Sequence, residues 1–574
     1  MIRFTFILIF LFGSLTSFKK ELNFSKYPTD YFSSPVATEI TLSGTFGELR
    51  PNHLHAGIDI KAFQGKTGQD IFAVADGFVS RINVASGGYG KAIYIDHPNG
   101  YTSVYAHLKN FNPELEAYMK QQQYQAQEFE ITRYPNPEQF IFSQGQKIGT
   151  LGLSGRSFGP HLHFEIRDTR SEHPINPLLF GFKVKDSIKP IIQGIKSYSL
   201  NESLETISEK RWNALPAQGK YTLSKDTLTI PSWRVGFALE SYDQMNGAGN
   251  LNGIYALEMY VDDSLYYSFD MEKFSFDESR YINAHLDYKE QISLRDYFNR
   301  CFSLPGNKLS IYNQLTNNGV VELSVHKRKK IRFEVTDVDR NMSTLEFWVK
   351  RSEVELPDSK VYTHKVFHNQ DNLILGNGME MHFPQGALYE HLYLNYQSTI
   401  DSSLNTYSAV HHIHDYKTPV HKYIDLSIKP DEIPLSKHSK AFIAYRDKKG
   451  NYSNCGGTWT GTYLTTKVRA LGEYCIMVDD EAPSIKQVKF PKKLKAGSKI
   501  SFKIQDNFAT ARNVKGLRFE CRIDGAWVLM EFDGKKDLLY HYIDKDLSKG
   551  VHQFQLTVTD ALGNGASFEK SFEF

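Results

Sequence analysis

Two short strings in the first third of the chain hold the residue types of a metal centre. They are His55–Ala56–Gly57–Ile58–Asp59 and His161–Leu162–His163–Phe164–Glu165. On an extended strand, side chains two apart share a face, so His161 and His163 point into one cavity while Leu162 and Phe164 face the core. His55 and Asp59 have the same parity and reach one ion if their segment is extended. His53 keeps that parity too and competes with His55 for the role. Two imidazoles and one carboxylate form the ligand set of a catalytic zinc, whose fourth position is left to water. His107, in Tyr105–Ala106–His107–Leu108, adds a further histidine. No helical H-E-x-x-H string supplies a Glu base, so a thermolysin-like site is excluded.

The elements that must position these residues are short. From Ile71 to His107, apolar runs alternate with Gly77, Gly87–Gly88–Tyr89–Gly90 and Gly100, the pattern of a strand meander with tight turns. His107 is expected on one of those strands. Pro113 to about Glu128 reads as the one helix near the site, with Pro at its first position, and 113–140 reads as an insertion between strands.

The segment from about His53 to Pro177 closely resembles the lysostaphin/LytM-type zinc metallopeptidases. The resemblance rests on the two histidine strings with Ala75–Asp76–Gly77, Gly87–Gly88–Tyr89–Gly90, Tyr105–Ala106–His107–Leu108, Gly145–Gln146–Lys147–Ile148–Gly149, Gly152–Leu153–Ser154–Gly155, Gly159–Pro160–His161 and Ile175–Asn176–Pro177. It implies a small, mostly antiparallel β fold over residues 36–182, with His55, Asp59 and His163 as zinc ligands and His107 and His161 as catalytic histidines. It also implies endopeptidase action on the peptide cross-links of bacterial peptidoglycan. Zinc held this way brings the pKa of its water toward ~7 and polarises a carbonyl, while the two remaining histidines orient that water, accept its proton or hold the oxyanion. The insertion at 113–140 departs from the pattern and bears on groove shape.

At 574 residues the chain has room for further domains, roughly one per 100–200 residues. Aromatics at 13% suit strand-rich domains, so the expected fold class is mainly β, a small antiparallel metallopeptidase domain followed by immunoglobulin-like β-sandwich domains. Beyond a linker at Asp186–Ser187–Ile188–Lys189–Pro190 an internal repeat appears. Phe237–Glu240 with Asp243, and Phe333–Asp337 with Asn341, match Phe502–Gln505 with Asp506, and Leu556–Asp560 with Asn564. Two sandwiches are expected, at 186–352 and 480–574, flanking a β-rich stretch of unclear type at 353–479.

The 67 Lys and Arg nearly balance the 65 Asp and Glu, which leaves no nucleic-acid footprint. Arg3, the apolar run Phe4–Phe12 and the small residues before Lys19 read as a signal peptide over 1–17, which sends the protein to the periplasm, the cell envelope or the medium. Of the four cysteines, Cys455 and Cys475 either pair after export or stay buried and reduced. His411–His412–Ile413–His414 is dense but lacks a glycine framework and reads as a solvated edge or turn. Two other functions compete with catalysis. One is a non-catalytic LytM-like regulator that activates another wall hydrolase; the other is a scaffold whose sandwiches bind an envelope protein.

Overall fold

The computed structural model describes residues 26–354, 356–357, 360–400, 405–543 and 547–574. Residues 1–17, expected to be a signal peptide, lie outside the described residues. The protein is mainly β, with 46% of the described residues in strands and 9% in helices.

The first module is an eleven-stranded sheet. Its strands are β1 (Leu42–Gly44), β2 (Ile58–Lys61), β3 (Asp70–Phe72), β4 (Gly77–Val84), β5 (Lys91–Asp96) and β6 (Tyr101–Phe111), then β7 (Ile131–Arg133), β8 (Ile141–Phe142), β9 (Lys147–Leu151), β10 (His161–Asp168) and β11 (Pro174–Ile175). The main order is β1-β2-β10-β6-β5-β4-β8. Strands β6 and β10 are central and buried along most of their length, and β10 alternates the polar His161, His163, Glu165 and Arg167 with the apolar Leu162, Phe164 and Ile166. Between β6 and β7 lies helix α1 (Pro113–Ala126). Asn112 caps it by accepting from the Leu115 amide at 2.9 Å, and Leu115, Met119 and Gln123 form its buried stripe.

The next region, from Ile191 to Arg351, is a further twelve-stranded assembly. The expected linker near Asp186 does not separate it from the first module, because one continuous apolar core runs from Tyr27 to Val349. Phe46 packs on Phe274 with ring centroids 5.0 Å apart, and the Leu54 amide donates to Ser279 Oγ at 2.8 Å. Residues 366–476 and 490–572 have cores of their own. The C-terminal unit is two four-stranded antiparallel sheets, with Phe502 and Phe554 stacked between them at 5.2 Å.

The repeat noted in the sequence is structural at its closing turns. Asn341 donates its backbone and side-chain N–H groups to the two Asp337 oxygens, both at 2.8 Å; Asn564 does the same to Asp560 at 2.8 and 2.7 Å. All four cysteines are buried and free. Cys455 sits in one apolar cluster and Cys475 in another with Val410 and Phe442, so the pairing does not form. His411 is buried rather than solvated, with its Nδ1 3.0 Å from the Tyr396 hydroxyl, while His412 faces Glu473 at 3.2 Å. These two rings point apart, as adjacent strand positions must.

Candidate metal centre

Register brings the two histidine strings together. In the β2–β10 pairing His163 stands opposite Asp59, and on its other side, in the β10–β6 pairing, opposite Ala106. His55 lies just ahead of β2, its amide donating to the Glu48 carbonyl at 3.1 Å and its carbonyl accepting from the Gly47 amide at 2.9 Å, and its ring is fixed by Nδ1 donating to the Thr45 carbonyl at 2.7 Å. The close approach there needs a glycine, because a Cβ on Gly57 would stand 2.3 Å from the Phe164 carbonyl oxygen.

The result is a tight cluster. His55 Nε2 is 3.1 Å from Asp59 Oδ1 and 3.0 Å from His163 Nδ1, and His163 Nδ1 is 3.0 Å from Asp59 Oδ1. All three residues are at least nine-tenths buried. The edge of a tetrahedron with bonds of ~2.0–2.1 Å is roughly 3.3 Å, so the three donor atoms are spaced as ligands of one such ion. His53 is not part of the cluster; its Nδ1 meets the Pro51 carbonyl at 3.0 Å.

Each member of the cluster is held from behind. Glu165, fully buried, accepts from His163 Nε2 at 2.7 Å, from Arg167 Nε at 2.6 Å and from the Tyr89 hydroxyl at 2.5 Å. This leaves His163 Nδ1 to face the cluster, the usual way an outer carboxylate selects a ligand tautomer. Arg50 reaches Asp59 Oδ2 at 2.6 Å and Glu48 at 3.0 Å. The electrostatics follow. Burial pushes the His55 imidazole down to about 4, keeping it neutral. Burial acts in the same sense on His163 but is outweighed by Asp59 and Glu165, which raise it to about 9. Asp59 is well below the usual carboxylate range, because its three histidine neighbours outweigh burial.

His107 and His161 complete the constellation. The β6 strand carries an extra residue against β5, where Lys91 pairs with Leu108 but Ile93 with Tyr105. His107 sits in that bulge with φ of 62°, in the left-handed region, on the strand where it was expected. Its Nδ1 donates to the Ser154 carbonyl at 3.0 Å, and its ring lies 4.9 Å from that of His161 and 5.8 Å from that of His163. Burial, reinforced by His163 and His161, lowers His107 to about 3. His161 donates from Nδ1 to the Gly159 carbonyl at 2.8 Å and brings Nε2 to 3.4 Å from Asp59 Oδ1.

The loop at 153–159 therefore anchors both histidines. It is seated by Gly90, with φ of 66°, whose Cβ would fall 2.4 Å from Ser154. From the far end of the chain, Lys535 donates to the carbonyls of Leu153 at 2.6 Å and Ser157 at 3.0 Å. The five residues singled out in the sequence are thus brought together. Sequence reasoning missed the positioning roles of Glu165, Arg167 and Tyr89, although Glu165 and Tyr89 stand in the quoted strings, and gave no signal for Arg50 or Lys535.

Residues 53–128 match Peptidase family M23, and residues 363–479 match the Zu5-like domain. Lipoprotein NlpD of Yersinia enterocolitica is 35% identical over 116 residues, which cover 20% of this chain and 93% of that one. The chain belongs to peptidase family M23. Other M23 relatives are the DD-carboxypeptidase/endopeptidase Mpg of Neisseria meningitidis, 36% identical over 125 residues, and the murein hydrolase activator NlpD of Escherichia coli, 34% identical over 153 residues. The Mpg match covers 22% of each chain; the NlpD match covers 26% of this chain and 32% of that one. The M23 family match lies within the first module, and the relatives include proteins named as peptidases and proteins named as activators.

Proposed function

We propose that the protein is a zinc-dependent endopeptidase that hydrolyses peptide cross-links of peptidoglycan. His55, Asp59 and His163 would hold the zinc, which when bound supplies a Lewis acid and an acidified water. One observation carries the reading: an intact two-histidine, one-carboxylate cluster stands beside two further histidines whose Nδ1 atoms are tied to backbone carbonyls. That tie leaves Nε2 as the working nitrogen of each ring. His107, kept neutral by burial, accepts the proton from the attacking water at Nε2 and passes it to the leaving amine. His161, the more exposed of the two, would donate from Nε2 toward the developing oxyanion when its ring carries a proton on both nitrogens. Arg50 holds Asp59 through its second oxygen, so that carboxylate offers Oδ1 to the ion.

The test uses purified protein with intact wall sacculi, with and without chelator, and identifies released fragments by mass. His55→Ala and His163→Ala should lose zinc, whereas His107→Ala and His161→Ala should keep it and lose turnover. Full zinc content in His163→Ala would remove the ligand assignment. A second reading, a regulator of another wall hydrolase, is favoured by the NlpD relatives. It would be adopted if zinc-loaded protein released no fragment but stimulated another wall hydrolase.

A further inference from the structure

Outside the M23 centre, two more groups of metal-competent side chains occur among the described residues, and both are trios of aspartates. One is Asp186, Asp243 and Asp337; the other is Asp479, Asp506 and Asp560. They occupy matching places. Asp186 and Asp479 each stand four residues before a proline, Pro190 and Pro483, at the entry to a β unit. Asp243 and Asp506 follow the paired strands Arg234–Tyr242 and Lys499–Gln505, and Asp337 and Asp560 open the two repeated closing turns.

Acidic clusters on their own are common, but the first trio has a neutral companion. Asn252 faces Asp243 across an antiparallel bridge closed by two backbone hydrogen bonds, of 2.9 and 2.8 Å. Residues directly opposite in such a bridge project to the same side, so the Asn252 amide lies beside the Asp243 carboxylate. Asn252 is only 3% exposed, and neither its Oδ1 nor its Nδ2 has a hydrogen-bond partner. Asp243 Oδ1 and Asp186 Oδ2 are likewise buried and unpartnered. Native interiors rarely leave so many polar atoms unsatisfied in one place, because each costs its desolvation without return.

Charge points the same way. After burial itself, the groups that act most on Asp243 are Asp186 and Asp337, both acidic, and they raise it to about 8. Asp337 is raised to about 6, mainly by burial and against the hydrogen bonds from Asn341. One ligand oxygen from each aspartate lies within 4.8 Å of the others, no farther apart than two calcium–oxygen bonds of ~2.3–2.6 Å laid end to end. The donors are all oxygens, without imidazole or thiolate, which suits a hard cation and not zinc.

We propose that Asp186, Asp243, Asp337 and the Asn252 amide oxygen form a calcium site at the junction between the M23 module and the following β region. A bound calcium ion would satisfy the orphaned oxygens, cancel the mutual repulsion of the carboxylates and lock the Asp186 linker to two strands of the next unit.

The test is calorimetric titration of the full chain with calcium chloride, in a slight excess of zinc so that the M23 centre is filled, with magnesium chloride as comparison. Thermal unfolding is followed in parallel. Calcium should bind at least about tenfold more tightly than magnesium and raise Tm by a few degrees. Asp243→Asn, which keeps shape and relieves repulsion, should lower the calcium stoichiometry by one and raise Tm in chelator. Absence of calcium binding at millimolar concentration, equal binding of both cations, or unchanged stoichiometry in Asp243→Asn would each overturn the proposal. Zinc content measured on the same samples separates failure of this site from failure of the M23 centre.

Discussion

Glu165→Gln probes how the metal cluster is oriented. The carboxylate has two sides, and both face donors: His163 Nε2 and the Tyr89 hydroxyl on Oε1, and Arg167 Nε on Oε2. A glutamine of the same shape keeps one acceptor but turns an NH2 group toward either the histidine or the arginine, so one donor meets another whichever way the amide lies. His163 then loses the partner that fixes its tautomer. Outer-shell partners of this type are worth about 10–100-fold in metal affinity, or about 1.4–2.7 kcal/mol. Breaking a buried pair with Arg167 costs about 3–5 kcal/mol of stability, and the lower end is expected because Arg167 retains Glu172 at 3.1 Å. Zinc affinity is read by competition with a chromophoric chelator, and stability of the zinc-free protein by urea unfolding. The pH dependence has a definite sign. The Glu165 pKa is held down to about 2, as Arg167 and His163 outweigh burial, so its contribution is complete above the ordinary 4.5 and is lost as pH falls through about 2. The stability gap between wild type and variant should therefore close over that window. Zinc affinity within about twofold of wild type would refute the positioning role.

Two further outcomes are expected. Lys535→Ala removes the cation that bridges the Leu153 and Ser157 carbonyls, so amide exchange should accelerate across 153–159 while zinc content stays unchanged; unaltered exchange would show that the bridge is dispensable. Asp287→Asn strips the nearly fully buried Lys196 of one carboxylate partner at 2.8 Å and should cost about 3–5 kcal/mol in urea unfolding; a loss under about 1 kcal/mol would mean Glu209 and Glu290 suffice.

The clustering of His55, Asp59 and His163 was legible because it is written in residue type and parity. Alternating histidines on one strand and an even spacing of His55 and Asp59 leave few arrangements, and the β2–β10 register supplies the one that pairs His163 with Asp59. His107 sits in a bulge, a local insertion that strand periodicity does not announce. Glu165 stood in view, but its role depends on complete burial between an imidazole and a guanidinium, which no single string displays. Arg50 and Lys535 act across turns or domains, and their contacts follow from tertiary docking alone. The aspartate repeat was visible at Asp243, Asp337, Asp506 and Asp560; the first members of each trio, Asp186 and Asp479, join only once the linkers fold back on the strands.

The division into a chemical module and accessory domains, natural from the sequence, does not follow the packing. The ring of His55 is set by the Thr45 carbonyl, and Thr45 is itself fastened to the neighbouring region, where the Gly253 amide donates to its hydroxyl at 3.1 Å. Phe46 next to it is buried on Phe274, and Leu54 beside His55 is tied to Ser279. The loop that orients His55 is thus sandwiched between two sequence regions of one core. On the opposite wall, Lys535 grips the loop that anchors His107 and His161. Ligand geometry must hold to within a few tenths of an ångström for a catalytic ion, and such precision comes from supporting contacts rather than from the ligands themselves. In this chain, many of those supporting contacts lie beyond Asp186, so the β domains take part in building the centre as well as in whatever they bind.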